Sequence, residues 1–314
     1  MSSKVITLNN GHKMPVVGLG TYKSSPGVVR QAIIDAIEAG YRHFDCAWFY
    51  GNETEIGDAL REIISSGKVK REDLFITSKL WNNFHRKEKV VLMLKETLSY
   101  LKLDYIDLFL VHWPFAFKEN GPLWPITEGA DAYSDTDYLE TWEGMEECVK
   151  KGYAKSIGIS NFNSEQIDRL LKYCKIKPAV NQVEANPNLN QKKLTKFCKE
   201  REIVITAYCP LGRVGEAAER GFPTPTVLDP KVAEIGEKYN KTPAQVVLNY
   251  LISLGMVVIP KSVTKSRIIE NINVFDFQLN PEELAYLDSC NKDSRVCSLD
   301  MFQDHKYYPF NLEF

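Results

Sequence analysis

The segment LFITSKLWNNFHRKEKVVLMLKETLSYLKLDYIDLFLVH, residues 74–112, contains the pattern that decides the fold. Two short runs of large apolar and β-branched residues, 74–80 and 105–112, flank a stretch whose apolar residues recur at helical spacing, 87–102. Both runs are too apolar to have one face in water, which is typical of parallel strands covered by helices. The segment therefore predicts a strand–helix–strand unit.

The same alternation continues in both directions along the chain. Strand-like runs occupy residues 16–20, 42–46, 74–80, 105–112, 154–160, 179–185, 203–209 and 256–262. Helical periodicity lies between them, for example at residues 27–40, 52–66 and 163–174. Eight repeats predict a closed (β/α)8 TIM barrel that forms one domain over residues 1–314. A doubly wound open sheet is the alternative, but it normally has fewer strands.

Segments outside the repeats predict additions to the barrel. Residues 5–10 and 12–16 flank Gly11 and predict an N-terminal β-hairpin that caps the barrel floor. The connections 113–136 and 209–228 are longer than barrel loops need to be, and barrel active sites lie above the carboxyl ends of the strands. We expect both loops to form pocket walls. The aromatic C-terminal tail, RVCSLDMFQDHKYYPFNLEF, is expected to fold over the same rim.

Composition excludes several classes of function. The chain has 39 lysines and arginines against 41 acids and no long basic run, so no nucleic-acid partner is expected. Its seven cysteines are widely spaced without a C-x-x-C pair, and the N-terminal segment lacks the apolar core of a signal peptide. The longest apolar stretch is too short to span a bilayer. We expect a cytoplasmic protein that binds no membrane and no metal.

Two glycines, Gly18 and Gly20, suggest a dinucleotide-binding fingerprint with Asp45 as its downstream acid. The third glycine is missing, because Lys23 stands where close packing of a helix on the sheet requires glycine. We therefore interpret the two glycines as a tight turn and do not expect a Rossmann site.

Four polar residues fall at the carboxyl ends of early strands: Asp45, Tyr50, Lys79 and His112. Each has a structural alternative, as an ion-pair partner, a packed aromatic or a core histidine. Together they suit proton transfer to a carbonyl oxygen, because an ammonium at Lys79 is expected to lower the pKa of the Tyr50 phenol. Asp45 would keep the lysine charged, and His112 would donate to the substrate oxygen. None of these groups supplies hydride, so the site requires a redox cofactor.

Many ordered motifs support a family resemblance. They are GLGTY, AGYRHFDCAWFYGNE, LFITSKLW, DYIDLFLVHWP, SIGISNFN, AVNQVEANP, ITAYCPLG and VVIPKSVTKSRIIENINVFDF. Over nearly its full length the chain resembles the aldo-keto reductase superfamily, and within it the aldose-reductase-like group. The resemblance implies a (β/α)8 barrel that binds NADPH across its rim without a Rossmann motif. It also implies a catalytic tetrad at Asp45, Tyr50, Lys79 and His112.

The resemblance further implies how NADPH is held. Ser160, Asn161 and Gln182 would bind the nicotinamide carboxamide, and Tyr208 would stack on the ring. Asn163 and Ser164, in the same motif, are also candidate helix caps. The cofactor set is completed by Thr21, Tyr22, Asp45, Leu211, Lys261, Ser262, Val263, Arg267, Glu270 and Asn271, with Glu270 expected at the adenine amino group.

The segment after the eighth strand favours NADPH over NADH. Lys261 and Ser262 precede a predicted helix on which Arg267 and Asn271 are i, i+4 neighbours. A phosphate near the start of that helix would meet backbone amides, a lysine and an arginine. The structural alternative is a solvated basic face.

A mostly aromatic substrate pocket is expected from Tyr22, Phe49, Trp81, His112, Trp113, Trp124, Cys297 and Leu299. Such a surface suits aldehydes, open-chain sugars and bulky ketones, including ketosteroids such as those reduced by insect-type dehydroecdysteroid reductases. These aromatics also fit a core role.

Several positions depart from the group. Tyr22 stands where tryptophan is common, Asn186 where E-x-H-P is usual, and Cys209 where serine is common. The loop 213–226 is also short. These departures affect the expected choice of substrate and the expected binding of the pyrophosphate of NADPH.

We predict NADPH-dependent reduction of aldehydes and ketones by a monomer, with hydride from nicotinamide C4 and Tyr50 as proton donor. Three alternatives belong to other classes. One is an aldolase with a Schiff base at Lys79, which requires a neutral lysine. Another is a glycosidase using Glu53 and Glu55, although both lie at a predicted helix start, where acids complement the dipole. The third is a redox-silent binding or structural relative.

Overall fold

The eight predicted strands form one parallel sheet that closes into a barrel. The computed structural model describes residues 4–314, so residues 1–3 of the predicted domain lie outside it. Backbone bridges join Val17 to Val258 and Gly20 to Lys261, which connects the first barrel strand to the last. In the order in which they pair, the barrel strands are β3 Leu19–Gly20, β4 His43–Asp45, β5 Phe75–Leu80, β6 Ile106–Val111, β9 Ala154–Ser160, β10 Val180–Glu184, β11 Val204–Tyr208 and β12 Val257–Val258.

Eleven α-helices lie in the described residues, most of them between successive barrel strands. They are α1 Val29–Ala39, α2 Glu53–Ser65, α3 Lys87–Leu101, α4 Tyr138–Lys150, α5 Ser164–Tyr173, α6 Lys192–Glu200, α7 Val214–Glu219, α8 Pro230–Tyr239, α9 Pro243–Ser253, α10 Lys265–Ile272 and α11 Pro281–Ser289. The prediction of a (β/α)8 barrel is confirmed. Across residues 4–314, every helix is too short or too polar to cross a membrane.

The helix starts follow local sequence signals. The side chain of Asn163 accepts a hydrogen bond from the Gln166 backbone amide at 2.9 Å, and Gln166 Oε1 accepts one from the Asn163 backbone amide at 3.2 Å. This capping box satisfies amides that the first turn of α5 leaves free. Asn163 is therefore the helix cap that the SNFN motif predicts.

The strands are buried on both faces, as their apolar runs predict. In β6, Leu108 and Leu110 belong to the cluster inside the barrel, whereas Phe109 and Val111 belong to the cluster shared with the surrounding helices. This alternation follows from the two-residue period of a strand.

The predicted N-terminal hairpin is confirmed. Strand β1, Val5–Thr7, pairs antiparallel with β2, Lys13–Pro15, and Gly11 in the connection has φ of +86°. Leu8 and Met14 are buried in the cluster that fills the barrel floor. The hairpin therefore closes the end of the barrel opposite the predicted site.

The long loops and the tail build the other end. The connection 113–136 carries strands β7, Ala116–Phe117, and β8, Tyr133–Ser134, which pair with each other, and the connection 209–228 carries α7. Phe302 and Tyr308 of the tail pack with aromatic residues of the loop after β6 and of the β5 end. The predicted fold of the tail over the rim is thus confirmed.

The interpretation of Gly18 and Gly20 as a tight turn is wrong. Gly20 lies in β3, and neither glycine has a positive φ. A Cβ atom at Gly18 would lie 2.6 Å from the His43 ring, and one at Gly20 would lie 2.8 Å from the Ile259 carbonyl oxygen. Glycine is required here because β3 must approach its neighbours closely to close the barrel.

Candidate active site

Lys79 is the centre of the candidate site. It lies in β5, where side chains alternate between the barrel interior and the helices, and its side chain is only 1% exposed. Its ammonium donates to Asp45 Oδ1 at 2.6 Å, to the Cys46 carbonyl at 2.9 Å and to Tyr50 Oη at 3.3 Å. Three residues of the predicted tetrad therefore meet at one ammonium group.

Asp45 is held on both carboxylate oxygens. Oδ1 pairs with Lys79, and Oδ2 accepts a hydrogen bond from Gln182 Nε2 at 2.7 Å. The hydroxyl of Thr21 also donates to the Asp45 carbonyl at 2.8 Å. A buried ion pair is tolerated only when further hydrogen bonds satisfy the charges. Gln182 on β10 supplies one to the carboxylate, and the Cys46 carbonyl accepts one from the Lys79 ammonium.

His112 completes the group from the end of β6. Its ring lies edge-on to Tyr50, with centroids 5.9 Å apart, and edge-on to Trp81 at 5.1 Å. Burial, followed by the nearby Lys79 charge, lowers the pKa of His112 well below its usual range. Its Nδ1 atom is enclosed without a hydrogen-bond partner in the described structure. The imidazole is therefore neutral near pH 7, with Nε2 as the nitrogen open to the pocket.

The expectation that the Tyr50 pKa is lowered is wrong, because its pKa is raised. Burial, followed by the Asp45 carboxylate, raises the pKa of Tyr50 well above its usual range. The lysine charge is neutralised by Asp45 at 2.6 Å, so it does not offset the removal of the phenol from water. Because the ammonium donates to the phenol oxygen, the phenol hydrogen stays free. The site thus presents a protonated phenol.

The four residues predicted near the nicotinamide lie together at the ends of β9, β10 and β11. Tyr208 Oη donates to Asn161 Oδ1 at 2.8 Å, and Asn161 Nδ2 donates to the His112 carbonyl at 3.0 Å. Ser160 Oγ donates to the Gln182 carbonyl at 2.8 Å. Asn161 has φ of +61°, a left-handed conformation that asparagine tolerates better than most residues. The network orients these side chains against the tetrad.

The segment after β12 has a different character. Lys261 and Arg267 are exposed and form no ion pair within residues 4–314, whereas Lys265 pairs with Asp35 and with Glu38 at 3.1 Å each. Burial of part of its side chain lowers the pKa of Lys261. Helix α10 begins without a side-chain cap. Two cations and free amides therefore lie near one helix start.

The other predicted cofactor residues lie along the same rim. Ser262 Oγ accepts a hydrogen bond from the Thr264 amide at 3.1 Å and orders the turn before α10. Asn271 is buried, Val263 is exposed, and Glu270 and Leu211 are half-buried.

Most predicted pocket residues form an aromatic cluster beside His112. Phe49 stacks on Trp81 with centroids 3.7 Å apart, and Trp124 lies 5.9 Å from Trp81. Trp113 and Leu299 join the same cluster. Tyr22 is 41% exposed, and the centroid of its ring lies 4.9 Å from that of Tyr50.

Cys297 lies apart from these aromatics, beside Cys209 at the end of β11. Their sulfur atoms are 4.0 Å apart. The tail thus contributes Leu299 to the aromatic cluster and Cys297 to the Tyr208 side of the site.

One acid near the site, Glu184, was not identified from the sequence, and a second, Glu53, was considered only as part of the glycosidase alternative. Glu184 is fully buried at the end of β10 and accepts hydrogen bonds from the Val296 and Cys297 amides at 2.9 and 2.7 Å, which anchors the tail. Burial raises the pKa of Glu53 to about 7, although Ser78 Oγ donates to it at 2.5 Å. The available signal was an acid at the end of an apolar strand for Glu184, and an acid three residues after Tyr50 for Glu53.

The glycosidase alternative is not supported by the placement of its acids. Glu55 accepts hydrogen bonds from the Gly27 and Arg30 amides at 3.1 Å each and so caps α1, whose own first residue provides no side-chain cap. Glu53 binds Ser78 instead. The two carboxylates therefore have separate structural partners.

The structure accommodates two of the departures from the group. Asn186 pairs with Leu189 through its backbone, and its side chain accepts a hydrogen bond from the Asn188 amide at 3.0 Å. In the loop 213–226, Glu216 pairs with Lys23 at 2.7 Å. The short loop therefore reaches the segment after β3.

Comparisons with known proteins agree with this geometry. The model of the aldo/keto reductase family matches residues 16–292. The chain is 47% identical over 317 residues to aldo-keto reductase family 1 member A1 of Gallus gallus, covering 98% of this chain and 97% of that protein. The human protein of the same name is 45% identical over 323 residues, covering 99% of each chain.

Solved structures give the same result. The aldose reductase of Schistosoma japonicum matches with a TM-score of 0.92 and 43% identity, covering 99% of this chain and 100% of that one. An aldo-keto reductase of Bombyx mori, solved in complex with NADP, matches with a TM-score of 0.91 and 42% identity over 98% of this chain and 99% of that one. The resemblance in the sequence motifs is thereby confirmed.

Proposed function

The chain belongs to the aldo/keto reductase family, and we propose that it reduces aldehydes and ketones to alcohols with NADPH as the hydride donor. The observation that carries the proposal is the contact of one buried ammonium, Lys79, with both Asp45 and Tyr50. Such a group polarises a carbonyl and delivers a proton, and bound NADPH supplies the hydride from nicotinamide C4.

Tyr50 acts as the proton donor. Its raised pKa keeps the phenol protonated until negative charge develops on the substrate oxygen, and an alkoxide is a stronger base than a phenolate. As the proton leaves, the 3.3 Å contact with the Lys79 ammonium becomes charge-assisted and stabilises the phenolate. Lys79 therefore stabilises the Tyr50 phenolate that forms after proton transfer more than it stabilises the phenol before the transfer.

His112 positions the carbonyl oxygen. A neutral imidazole carries a single N–H group, and with Nδ1 enclosed, protonation at Nε2 directs that group towards the pocket. A fixed donor aimed at the developing charge lowers the barrier without reorganisation during the reaction. His112 thus complements Tyr50 at the same oxygen.

The residues present fit NADPH at both of its ends. Gln182 uses one N–H group on Asp45 and keeps its Oε1 without a partner in the described residues, so it remains available to a carboxamide. Lys261 and Arg267 near the uncapped start of α10 fit the additional phosphate of NADPH. Tyr208, ordered by Asn161, provides an aromatic face for the nicotinamide ring.

The aromatic cluster of Phe49, Trp81, Trp113 and Trp124 favours carbonyl groups attached to apolar or aromatic bodies. We include aldehydes, open-chain sugars and bulky ketones such as ketosteroids among the proposed substrates. The aldolase alternative is not favoured, because the Lys79 amine is engaged by Asp45 and a Schiff base requires a free neutral amine.

We also propose a cytoplasmic monomer. All seven cysteines are free thiols in the structure, which fits a reducing compartment. Size-exclusion chromatography with light scattering should give the mass of one 35.9 kDa chain. A stable dimer mass would contradict the monomer without affecting the proposed reaction.

The function is tested by following NADPH absorbance with a panel of aldehydes, sugars and ketosteroids. Tyr50→Phe should lower kcat by roughly 10²–10⁴-fold, the range for loss of general acid catalysis, and leave the NADPH Kd nearly unchanged. Tyr100→Phe, an exposed tyrosine that binds Glu96, is the matched control and should retain turnover. Full turnover in Tyr50→Phe would remove Tyr50 as the acid, and no NADPH oxidation with any carbonyl would favour a redox-silent protein.

A further inference from the structure

Two thiols meet where the loop after β11 contacts the C-terminal tail. Cys209 Sγ and Cys297 Sγ are 4.0 Å apart, and both residues are partly exposed. A disulfide has its sulfurs about 2.05 Å apart, so the two sulfurs must approach each other by roughly 2 Å.

The two backbones are already held in place by the strands. Cys297 donates its amide to Glu184 Oε2 at 2.7 Å, and Glu184 lies opposite Tyr208 in the β10–β11 pair. Cys209 directly follows Tyr208. A single buried carboxylate therefore fixes the tail thiol beside the strand-end thiol, although the two are far apart in the chain.

The environment distinguishes the two sulfurs. Arg213 Nη1 donates a hydrogen bond to Cys297 Sγ at 2.9 Å, so the tail sulfur lies against a guanidinium, the kind of neighbour that reactive cysteines commonly have. The hydrogen bond with Cys297 and then burial raise the pKa of Cys209 well above its usual range. Cys297 is thus placed to react first, with Cys209 as the second thiol.

We propose that Cys209 and Cys297 form a modification site for hydroperoxides, at which the two thiols close to a reversible disulfide. In the first step Cys297 gives up its proton, its thiolate attacks one peroxide oxygen, and the O–O bond breaks, which gives a sulfenic acid and a hydroxide that takes up that proton as the first water. In the second step Cys209 sulfur attacks the sulfenic sulfur and the S–OH bond breaks. The Cys209 proton and the hydroxide leave as water. Two thiols are oxidised by two electrons, and one hydrogen peroxide is reduced to two waters.

The other cysteines lack this arrangement. Cys46, Cys148 and Cys198 are buried, which withholds them from solvent peroxide. Cys174 and Cys290 are partly exposed, but their sulfurs contact the backbone carbonyls of Leu171 and Tyr286. Exposure alone therefore does not single out a cysteine, whereas a neighbouring sulfur and a guanidinium do.

The disulfide would change the site as well as the thiols. It would link the loop 209–228 covalently to the tail 295–314 next to Tyr208. It would also change the contact between Arg213 and the Cys297 sulfur. This goes beyond carbonyl reduction, since it concerns a covalent state of the protein that exists with or without turnover.

The test treats the full chain with a small excess of hydrogen peroxide, alkylates the remaining thiols and maps the peptides by mass spectrometry. We expect one linked pair, Cys209 with Cys297, that dithiothreitol reverses. In Cys209→Ser, the sulfenic acid at Cys297 should persist and be trapped by dimedone. Cys290→Ser, a partly exposed control, should form the same link as the unaltered protein.

The contribution of Arg213 is measured separately. In Arg213→Gln, the rate of link formation should fall roughly threefold to tenfold, because Cys297 loses the guanidinium that contacts its sulfur. Oxidation of Cys174 or Cys290 as fast as Cys297, with no link to Cys209, would overturn the proposal. The peptide map does not depend on activity, so it is independent of any failure of the proposed reductase reaction.

Discussion

The proposed reaction centre around Lys79 and the proposed phosphate-binding segment, residues 261–271, lie on the same rim but hold their charges in opposite ways. At the centre, Lys79 and Asp45 are almost fully buried and each charged atom has a protein partner. In the segment 261–271, Lys261 and Arg267 are exposed and have no acidic partner within residues 4–314. Charges that act on a transition state must be oriented beforehand, whereas charges that bind a ligand must be left available to it.

Breaking the centre should have the largest effect. Lys79→Met leaves the Asp45 carboxylate buried without its cation, which should lower the free energy of unfolding by about 3–5 kcal/mol and abolish measurable turnover. Urea unfolding and NADPH absorbance measure the two effects. Lys87→Met, which removes an exposed pair with Glu143, should leave stability nearly unchanged.

A double variant sharpens the same point. If the penalty arises from the uncompensated carboxylate, Asp45→Asn combined with Lys79→Met should recover part of the lost stability without recovering turnover. Equal stability losses for Lys79→Met and Lys87→Met would show that the centre is not preassembled as described.

Glu53 tests whether the buried centre carries a pH dependence. Burial raises the pKa of Glu53 from its ordinary 4.5 to about 7, so the stability it contributes is fully present below pH 4.5 and is lost as the pH rises to about 7. The loss corresponds to roughly 3 kcal/mol. Glu53→Gln cannot ionise and should remove this decline, as measured by urea unfolding between pH 4.5 and 8.

Asp137 provides the opposite slope. Although burial opposes it, hydrogen bonds from Arg169, the Leu139 amide and Tyr307 lower the pKa of Asp137 to about 2. Its contribution is present above its ordinary value of 3.8 and is lost as the pH falls towards 2. Asp137→Asn should therefore lower the free energy of unfolding at neutral pH.

For the Glu53 prediction, an unchanged pH profile in Glu53→Gln would mean that Glu53 is not the group that titrates.

Removing a charge from the phosphate segment should affect binding and leave the fold intact. Arg267→Met should raise the NADPH Kd by roughly 10- to 100-fold, the loss of a charge-assisted hydrogen bond, with NADH binding nearly unchanged. Fluorescence titration measures both. Lys265→Met is the matched control, because Lys265 is already engaged by Asp35 and Glu38, and its NADPH Kd should stay close to that of the unaltered protein. Equal losses for both coenzymes would contradict a role in phosphate binding.

The smallest effect is expected between the two regions, at the exposed pair of Lys23 with Glu216. Lys23→Met should change stability by less than about 1 kcal/mol, because solvent screens such pairs. It should raise the NADPH dissociation rate a fewfold, since the pair joins the segment after β3 to the loop after β11. High salt should bring the unaltered protein close to the variant. A salt-independent difference would mean that packing, and not charge, explains the effect.

The fold and the tetrad could be predicted because they depend on periodicity and on strand ends. All eight strand segments lie where apolar runs place them, and parallel strands in a barrel bring their carboxyl ends to one rim. Asp45, Lys79 and His112 were therefore expected to lie close together, although a sequence does not give the distances between their side chains. The Asn163 cap follows from equally local chemistry.

Other features depend on contacts between distant segments. The pKa of Tyr50 depends on its burial and on the Asp45 carboxylate beside it, and so its predicted direction was wrong. The role of Gly20 depends on the last barrel strand, which is far away in the chain but pairs beside β3, and no local turn signal describes that contact.

By itself, the sequence determined which segments are strands and helices and which polar residues stand at strand ends, because these follow from side-chain spacing of two or 3.6 residues. Only the tertiary structure decided which charges are paired, which stay free, and that Cys209 meets Cys297. The physical reason is that electrostatic energies and reactivities vary over a few ångströms, and barrel closure sets those distances between residues far apart in the chain.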